Sequence, residues 1–112
     1  MKRSISLAIA LACFSTAVHS ECVPGYCRGV GTQVVQTATV DETGVFFMVP
    51  AGANLGCTLI EGVYAKLEGT HPRFKEIYST YLTAIATNAY FQLAVGSSST
   101  CTVSYIRLWN GT

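Results

Sequence analysis

Few side chains of this 112-residue chain have the types and spacing that catalysis requires. His71 is the only histidine after residue 20, and it precedes Pro72, where a helix-capping role is more common than proton transfer. Glu61 and Glu68 stand far enough apart that solvated surface is a commoner explanation than an acid–base pair. The chain has no nucleophile elbow, HExxH motif or glycine-rich phosphate loop. We therefore expect a protein that is not an enzyme and that uses no cofactor or metal.

Four cysteines follow residue 20, and an even number is typical of disulfides in an exported protein. Three pairings are possible. We favour Cys22–Cys27, which brackets the turn-forming sequence Val-Pro-Gly-Tyr, and Cys57–Cys101, which ties the middle of the chain to its last strand. A zinc site made of the four thiolates is the alternative, although their spacing matches no usual pair of C-x2–4-C knuckles.

Residues 1–20 have the three parts of a secretory signal peptide. Two basic residues precede an apolar run over residues 5–14, which is too short to span a bilayer, and Ser20 supplies a small residue for cleavage. We predict removal of residues 1–20 and a secreted or periplasmic location. An uncleaved membrane anchor and lipidation at Cys13 are the alternatives.

The chain after residue 20 is nearly neutral, which argues against a nucleic-acid partner. Five basic residues minus six acidic ones give a net charge of −1, so no basic face is available for a phosphate backbone. No later segment is apolar enough to span a membrane. The charged residues are Arg28, Lys66, Arg73, Lys75 and Arg107 against Glu21, Asp41, Glu42, Glu61, Glu68 and Glu76.

Hydrophobic spacing predicts one helix in a mainly β domain. The helix covers residues 71–88, with His71 or Thr70 as its cap, Pro72 at its first position and Asn88 as a left-handed stop. Its buried stripe is Phe74, Ile77, Tyr78, Tyr81, Leu82 and Ile85. After an irregular lead-in over residues 21–31, strands are predicted at 32–40, 45–49, 57–64, 90–95 and 101–109.

The order of these elements, β-β-β-α-β-β, is that of the OB fold, in which the helix closes one end of a small five-stranded barrel. We therefore predict a single OB-like domain over residues 21–112. An open sheet with one helix packed across it is the alternative.

Two groups of residues are candidates for recognition surfaces. Aromatic rings with hydroxyl neighbours often hold sugars, although core or edge packing would also account for them. The helix carries an uncharged outer face after Glu76, which is consistent equally with contact with another helix in a ring and with a tolerated solvent-exposed surface. The aromatic residues are Tyr26, Tyr64, Tyr90, Tyr105 and Trp109, and the helix face is Ser79, Thr80, Thr83 and Thr87.

A set of residues recurs in the same order in many small exported bacterial proteins. The layout over residues 29–109 resembles the B subunits of AB5 toxins of the subtilase-cytotoxin and typhoid-toxin type. The resemblance implies an OB-fold pentamer that binds a cell-surface glycan and has an exported A subunit as its partner. The recurring residues are Gly31, Cys57, the helix opening at residues 72–78, and Cys101 with Val103, Tyr105 and Ile106.

One departure from those B subunits bears on the ligand. They carry a glycan-binding serine just ahead of the first strand, whereas Thr32 is the only hydroxyl in residues 28–32 here. The resemblance thus implies the fold without implying sialic-acid recognition. The ligand-binding residues that we expect are Thr32, Tyr90, Tyr105 and Trp109. The alternative function is a small structural or accessory envelope or periplasmic protein that has no small-molecule ligand.

Overall fold

The computed structural model describes residues 20–96 and 99–109. The predicted signal peptide therefore lies outside the described residues except for Ser20. The described part is mostly β with a single α-helix, α1 (Phe74–Thr87). Its strands are β1 (Glu21–Val23), β2 (Tyr26–Val30), β3 (Thr37–Asp41), β4 (Gly44–Met48), β5 (Tyr64–Glu68), β6 (Tyr90–Val95) and β7 (Val103–Leu108).

The strands form two antiparallel sheets and no closed barrel. One sheet has the order β1-β2-β6-β7 and the other the order β3-β4-β5. The sheets meet where β5 passes the residues before β7: the Lys66 N–H donates to the Cys101 oxygen at 3.0 Å, and Lys66 forms an isolated parallel bridge with Thr102. The β4 strand is central in its sheet.

The first predicted strand, at residues 32–40, is wrong in its first half. Gly31, at φ +54°, opens a short 3-10 helix (Gly31–Gln33), and the strand begins only at Thr37. Val34 and Val35 are both buried, which an alternating strand with one face on the core does not allow. The lead-in predicted to be irregular instead forms the hairpin of β1 and β2.

The third predicted strand, at residues 57–64, is also displaced. Only isolated bridges occur there, at Thr58 and Ile60, and the chain then reverses through Glu61 and Gly62, both with positive φ. The strand that follows, β5, lies in the stretch that was expected to lead into the helix. It has the alternating burial of a strand with one face on the core.

The helix begins at Phe74, with Arg73 in the cap position that the sequence assigned to His71. His71 still contributes, because its Nδ1 accepts a hydrogen bond from the Arg73 N–H at 2.9 Å. Asn88 ends the helix in the left-handed conformation, as predicted, with φ +54° and ψ +40°.

The buried stripe of the helix is shifted from the predicted one. Ile77, Tyr81 and Ala84 are buried, whereas Leu82 is 48% exposed and Ile85 is 41% exposed. The helix packs mainly on β6 and β7, and Ala84 is small enough to let it approach closely. The prediction that Leu82 is packed is therefore wrong.

Both sheets share one core beneath the helix. The Tyr81 ring lies 4.9 Å from the ring centre of Phe47 in β4 and 6.1 Å from that of Phe91 in β6. Phe47 and Phe91 are fully buried, as are Leu67 and Leu93. Through Tyr81 the helix thus contacts both sheets.

The four cysteines form the pairing that the spacing favoured. Cys22 and Cys27 lie directly opposite each other on β1 and β2, and their sulfurs are bonded. The second disulfide joins Cys57 to Cys101, which is fully buried. These thiols are consumed as disulfides, so the alternative of a zinc site made from them does not hold.

Candidate functional site

Residues of β2, β6 and β7 that point away from the helix form one surface, which we call the aromatic face. Phe91 touches Tyr81 of the helix, so the alternate residues Tyr90 and Gln92 of β6 point to the opposite side. Residues that lie directly opposite across paired strands share a side. The register therefore defines the aromatic face as Tyr26, Arg28, Tyr90, Gln92, Tyr105, Arg107 and Trp109.

Arg107 lies between two aromatic rings on this face. Its guanidinium carbon is 5.6 Å from the ring centre of Tyr105 and 5.9 Å from that of Trp109. Trp109 in turn packs edge-on against Tyr90, with ring centres 5.2 Å apart. Tyr105 is 42% exposed and Arg107 is also exposed, so an aromatic ring and a cation reach solvent side by side.

The two arginines of the face differ in their electrostatic partners. Arg28 forms an ion pair with Glu21 at 2.6 Å and lies over the Tyr26 ring. Burial acts to lower the pKa of Arg28, but the Glu21 carboxylate and the neighbouring Tyr26 outweigh it, so the pKa is raised. Among residues 20–96 and 99–109, no carboxylate lies within 4 Å of Arg107. Within the described residues, the contacts of the Arg107 guanidinium are therefore with aromatic rings and not with a carboxylate.

Gln92 is the buried polar residue at the centre of the face. It is 7% exposed, lies between Arg28 and Arg107 in one cross-strand row, and donates from Nε2 to the Tyr105 hydroxyl at 3.2 Å. This bond fixes the phenol, so the ring of Tyr105 is held in place before any ligand arrives. The sequence reasoning missed Gln92; its one signal is an amide inside an otherwise apolar strand.

Three of the four predicted ligand-binding residues, Tyr90, Tyr105 and Trp109, thus lie together. The fourth, Thr32, lies elsewhere, in an open groove of about 660 Å³ between α1 and residues 31–38. We call this the helix groove. None of the described residues that line it is charged. The residues that line the helix groove include Thr32, Val35, Ala38, Tyr78, Leu82 and Ile85.

The remaining candidate residues are engaged in local structure. Glu68 forms an ion pair with Lys66 at 3.4 Å, and Glu61 lies in the turn before β5. Tyr64 belongs to the other sheet, where its ring packs against Phe46. Sequence reasoning placed Arg28 and Arg107 only among the charges. The signal it missed is the two-residue spacing of Arg107 from Tyr105 and Trp109, which puts all three on one face of the predicted strand.

Two hydroxyl groups on the predicted outer face of the helix form hydrogen bonds within the helix itself. Ser79, Thr83 and Thr87 are exposed, and Thr80 is half-buried. The Thr80 hydroxyl donates to the Glu76 carbonyl at 2.8 Å, and the Thr87 hydroxyl donates to the Thr83 carbonyl at 2.7 Å. These two hydroxyls bond along their own helix rather than to another element.

Residues 20–96 and 99–109 contain neither a cluster of metal-ligating side chains nor a membrane-spanning helix. No group of three or more His, Cys, Asp or Glu side chains is placed to hold a metal ion. No helix in this part of the chain is long and apolar enough to cross a membrane.

Comparisons of the chain with protein families, with curated proteins and with solved structures found no match.

Proposed function

We propose that this protein is a non-enzymatic carbohydrate-binding module that holds its ligand on the aromatic face. The observation that carries the proposal is the exposed arrangement of Arg107 between Tyr105 and Trp109. Aromatic rings offer an apolar surface to the C–H face of a sugar, and the guanidinium and the phenol supply hydrogen bonds beside it. Because Gln92 fixes Tyr105, less conformational freedom is lost when a ligand binds.

Two observations support an OB-like arrangement of residues 21–112 as the scaffold. With β2 and β3 counted as the halves of one strand broken at residues 31–33, the chain order is β-β-β-α-β-β. The parallel bridge between Lys66 and Thr102 sets β5 beside the start of β7, a neighbour relation that closure of such a barrel requires.

The setting that we propose is outside the cytoplasm, after removal of residues 1–20. Two disulfides suit an oxidising compartment. By its resemblance to toxin B subunits, the ligand would be a cell-surface glycan and the partner an exported A subunit. The ring of five copies that this resemblance implies, with the Ser79, Thr80, Thr83 and Thr87 faces turned toward one another, stays a prediction.

A glycan array with the purified protein tests the proposal, followed by calorimetry on the glycans retained. Trp109→Ala and Tyr105→Ala should weaken binding at least tenfold, or about 1.4 kcal/mol each. Tyr64→Ala is the matched control, because this half-buried tyrosine lies on the other sheet. The Tyr64→Ala variant should bind glycans as tightly as the wild type. Circular dichroism of each variant confirms folding.

The array also decides between the two functions considered. If the folded wild-type protein retains no glycan, the carbohydrate proposal fails and a structural or accessory envelope role takes its place. If glycans bind but Trp109→Ala and Tyr64→Ala weaken binding equally, the ligand does not lie on the aromatic face.

A further inference from the structure

Strand β3 presents an open main-chain edge. It is the outermost strand of the order β3-β4-β5. Just after β4, the Val49 N–H donates to the Val63 oxygen at 3.0 Å. Alternate residues of an antiparallel strand turn their N–H and C=O groups toward the same neighbouring strand. The residues two and four positions before Val49 therefore also turn these groups toward β5. Ala38 and Val40 lie opposite these two residues. Their own N–H and C=O groups therefore point away from the sheet.

Apart from Asp41 at its end, this edge carries little of the usual protection against strand pairing. Natural edge strands are blunted by lysine, proline, bulges or a covering element. The sequence of β3, Thr-Ala-Thr-Val-Asp, has neither lysine nor proline, and its register with β4 is regular. Within the part of the chain that the structure describes, no loop or cap hydrogen bond reaches the main chain of Ala38 or Val40.

Apolar side chains gather beside the same edge. Ala38 lies opposite Phe47, whose ring touches Tyr81, so Ala38 and Val40 point toward the helix side. Val40 is 54% exposed, and Leu82 and Ile85 are exposed in the adjoining helix groove. These three are among the four exposed large apolar residues of the described chain, and the fold itself gives no reason for their exposure.

We propose that a second copy of this chain docks on the β3 edge and the helix groove, forming a two-fold dimer with the two β3 strands antiparallel. Thr39 then lies on the axis opposite the partner's Thr39, and Ala38 lies opposite the partner's Val40. Threonine pairs and small apolar pairs are favourable cross-strand neighbours. Asp41 faces the partner's Thr37, so no like charges are opposed, and the groove contributes no charge to be buried.

A two-fold contact of this kind is self-complementary and closes at two copies. It differs from the predicted ring, which also joins copies through strand edges but turns the uncharged outer faces of the helices, including Thr83, toward one another and gives five copies. The mass in solution therefore separates the two assemblies directly.

The first test is light scattering after size exclusion, with the protein expressed as the full chain and studied from micromolar to millimolar concentration. The wild type should approach the mass of two copies. Val40→Lys should weaken the dimer at least tenfold, because lysine blocks an edge strand and its charge would enter an apolar contact. Thr83→Lys, exposed on the outer face of the helix, is the control and should leave the dimer intact.

The second test uses cross-linking and does not depend on Val40→Lys folding. In the proposed register the two Thr39 residues form a non-hydrogen-bonded pair, whose Cα separation of about 4.5 Å suits a disulfide. Thr39→Cys should give a covalent dimer on a non-reducing gel, whereas Thr37→Cys, on the same strand and also exposed, should not. A monomer at every concentration, a mass of five copies, or equal cross-linking by both variants overturns the proposal.

Discussion

At the scale of single residues, the Asp41 carboxylate organises the two-residue turn between β3 and β4. One carboxylate oxygen accepts from the Thr43 hydroxyl at 2.7 Å, the Thr43 N–H at 2.8 Å and the Gly44 N–H at 3.2 Å. The hydroxyl and the N–H of Thr43 lower the pKa of Asp41, because they stabilise its ionised form. The turn should therefore be more stable while this carboxyl group is ionised.

We expect this carboxyl group to make stability depend on pH. Its folded pKa lies below the unfolded value of about 3.9, so its contribution is complete above that value and is lost as pH falls through the folded pKa. Asp41→Asn should remove this part of the acid destabilisation. Thermal unfolding followed from about pH 6 to about pH 2 measures it. Glu42→Gln, in the same turn, is the control, and identical pH profiles for wild type and Asp41→Asn would contradict the assignment.

The aromatic residues of the candidate site could be predicted from the sequence, but their cross-strand neighbour Gln92 could not. Tyr90, Tyr105 and Trp109 stand out as large rings outside the helix stripe, and Arg107 alternates with Tyr105 and Trp109 along one strand. Gln92 joins them only because β6 and β7 pair in a register that sets it opposite Arg107. That register includes an irregularity between Ala94 and Val95, and irregularities of this kind have no sequence signature.

At the scale of elements, the helix shows what hydrophobic periodicity determines and what it leaves open. The spacing gave the helix, its extent to within a few residues and its left-handed end at Asn88. The apolar stripe is wide, however, and the spacing does not say which part of it meets the sheets. Packing centres on Ile77, Tyr81 and Ala84, because a small residue allows the closest approach, and Leu82 is left on the flank.

We predict a large difference in unfolding free energy between two truncations of this helix. Ile77→Ala should destabilise the protein by about 2–5 kcal/mol, since a buried side chain loses both transfer energy and packing. Leu82→Ala should cost less than about 1 kcal/mol, because nearly half of that side chain is exposed. Urea denaturation of dilute protein measures both. Equal losses would mean that the helix packs through the stripe predicted from the sequence.

At the scale of the whole molecule, two sheets are joined into one body by contacts distant in sequence. The Tyr81 ring bridges them from above, and the Lys66 N–H bonds to the Cys101 oxygen where they meet. The sequence predicted a mostly β domain with one helix in this position. It could not place the break at residues 31–33 or the reversal at Glu61 and Gly62, because both depend on positive-φ backbone that the surrounding packing selects.

The disulfides should contribute unequally to this arrangement. Cys57 and Cys101 are 44 residues apart in sequence, whereas Cys22 and Cys27 are 5 apart. In the chain-entropy model a bridge restricts the unfolded state more strongly when it closes a longer loop, which gives about 4 kcal/mol for the first and about 2 kcal/mol for the second.

Urea denaturation of Cys57→Ala/Cys101→Ala and of Cys22→Ala/Cys27→Ala, compared with the wild type, measures both contributions. Each pair includes one fully buried and one partly buried cysteine, so the packing lost with the sulfurs is similar and the comparison isolates the loop. The first variant should lose about 2 kcal/mol more than the second. If the hairpin bridge costs as much as the long one, loop length does not set the ranking, and residual structure in the unfolded chain would account for the result.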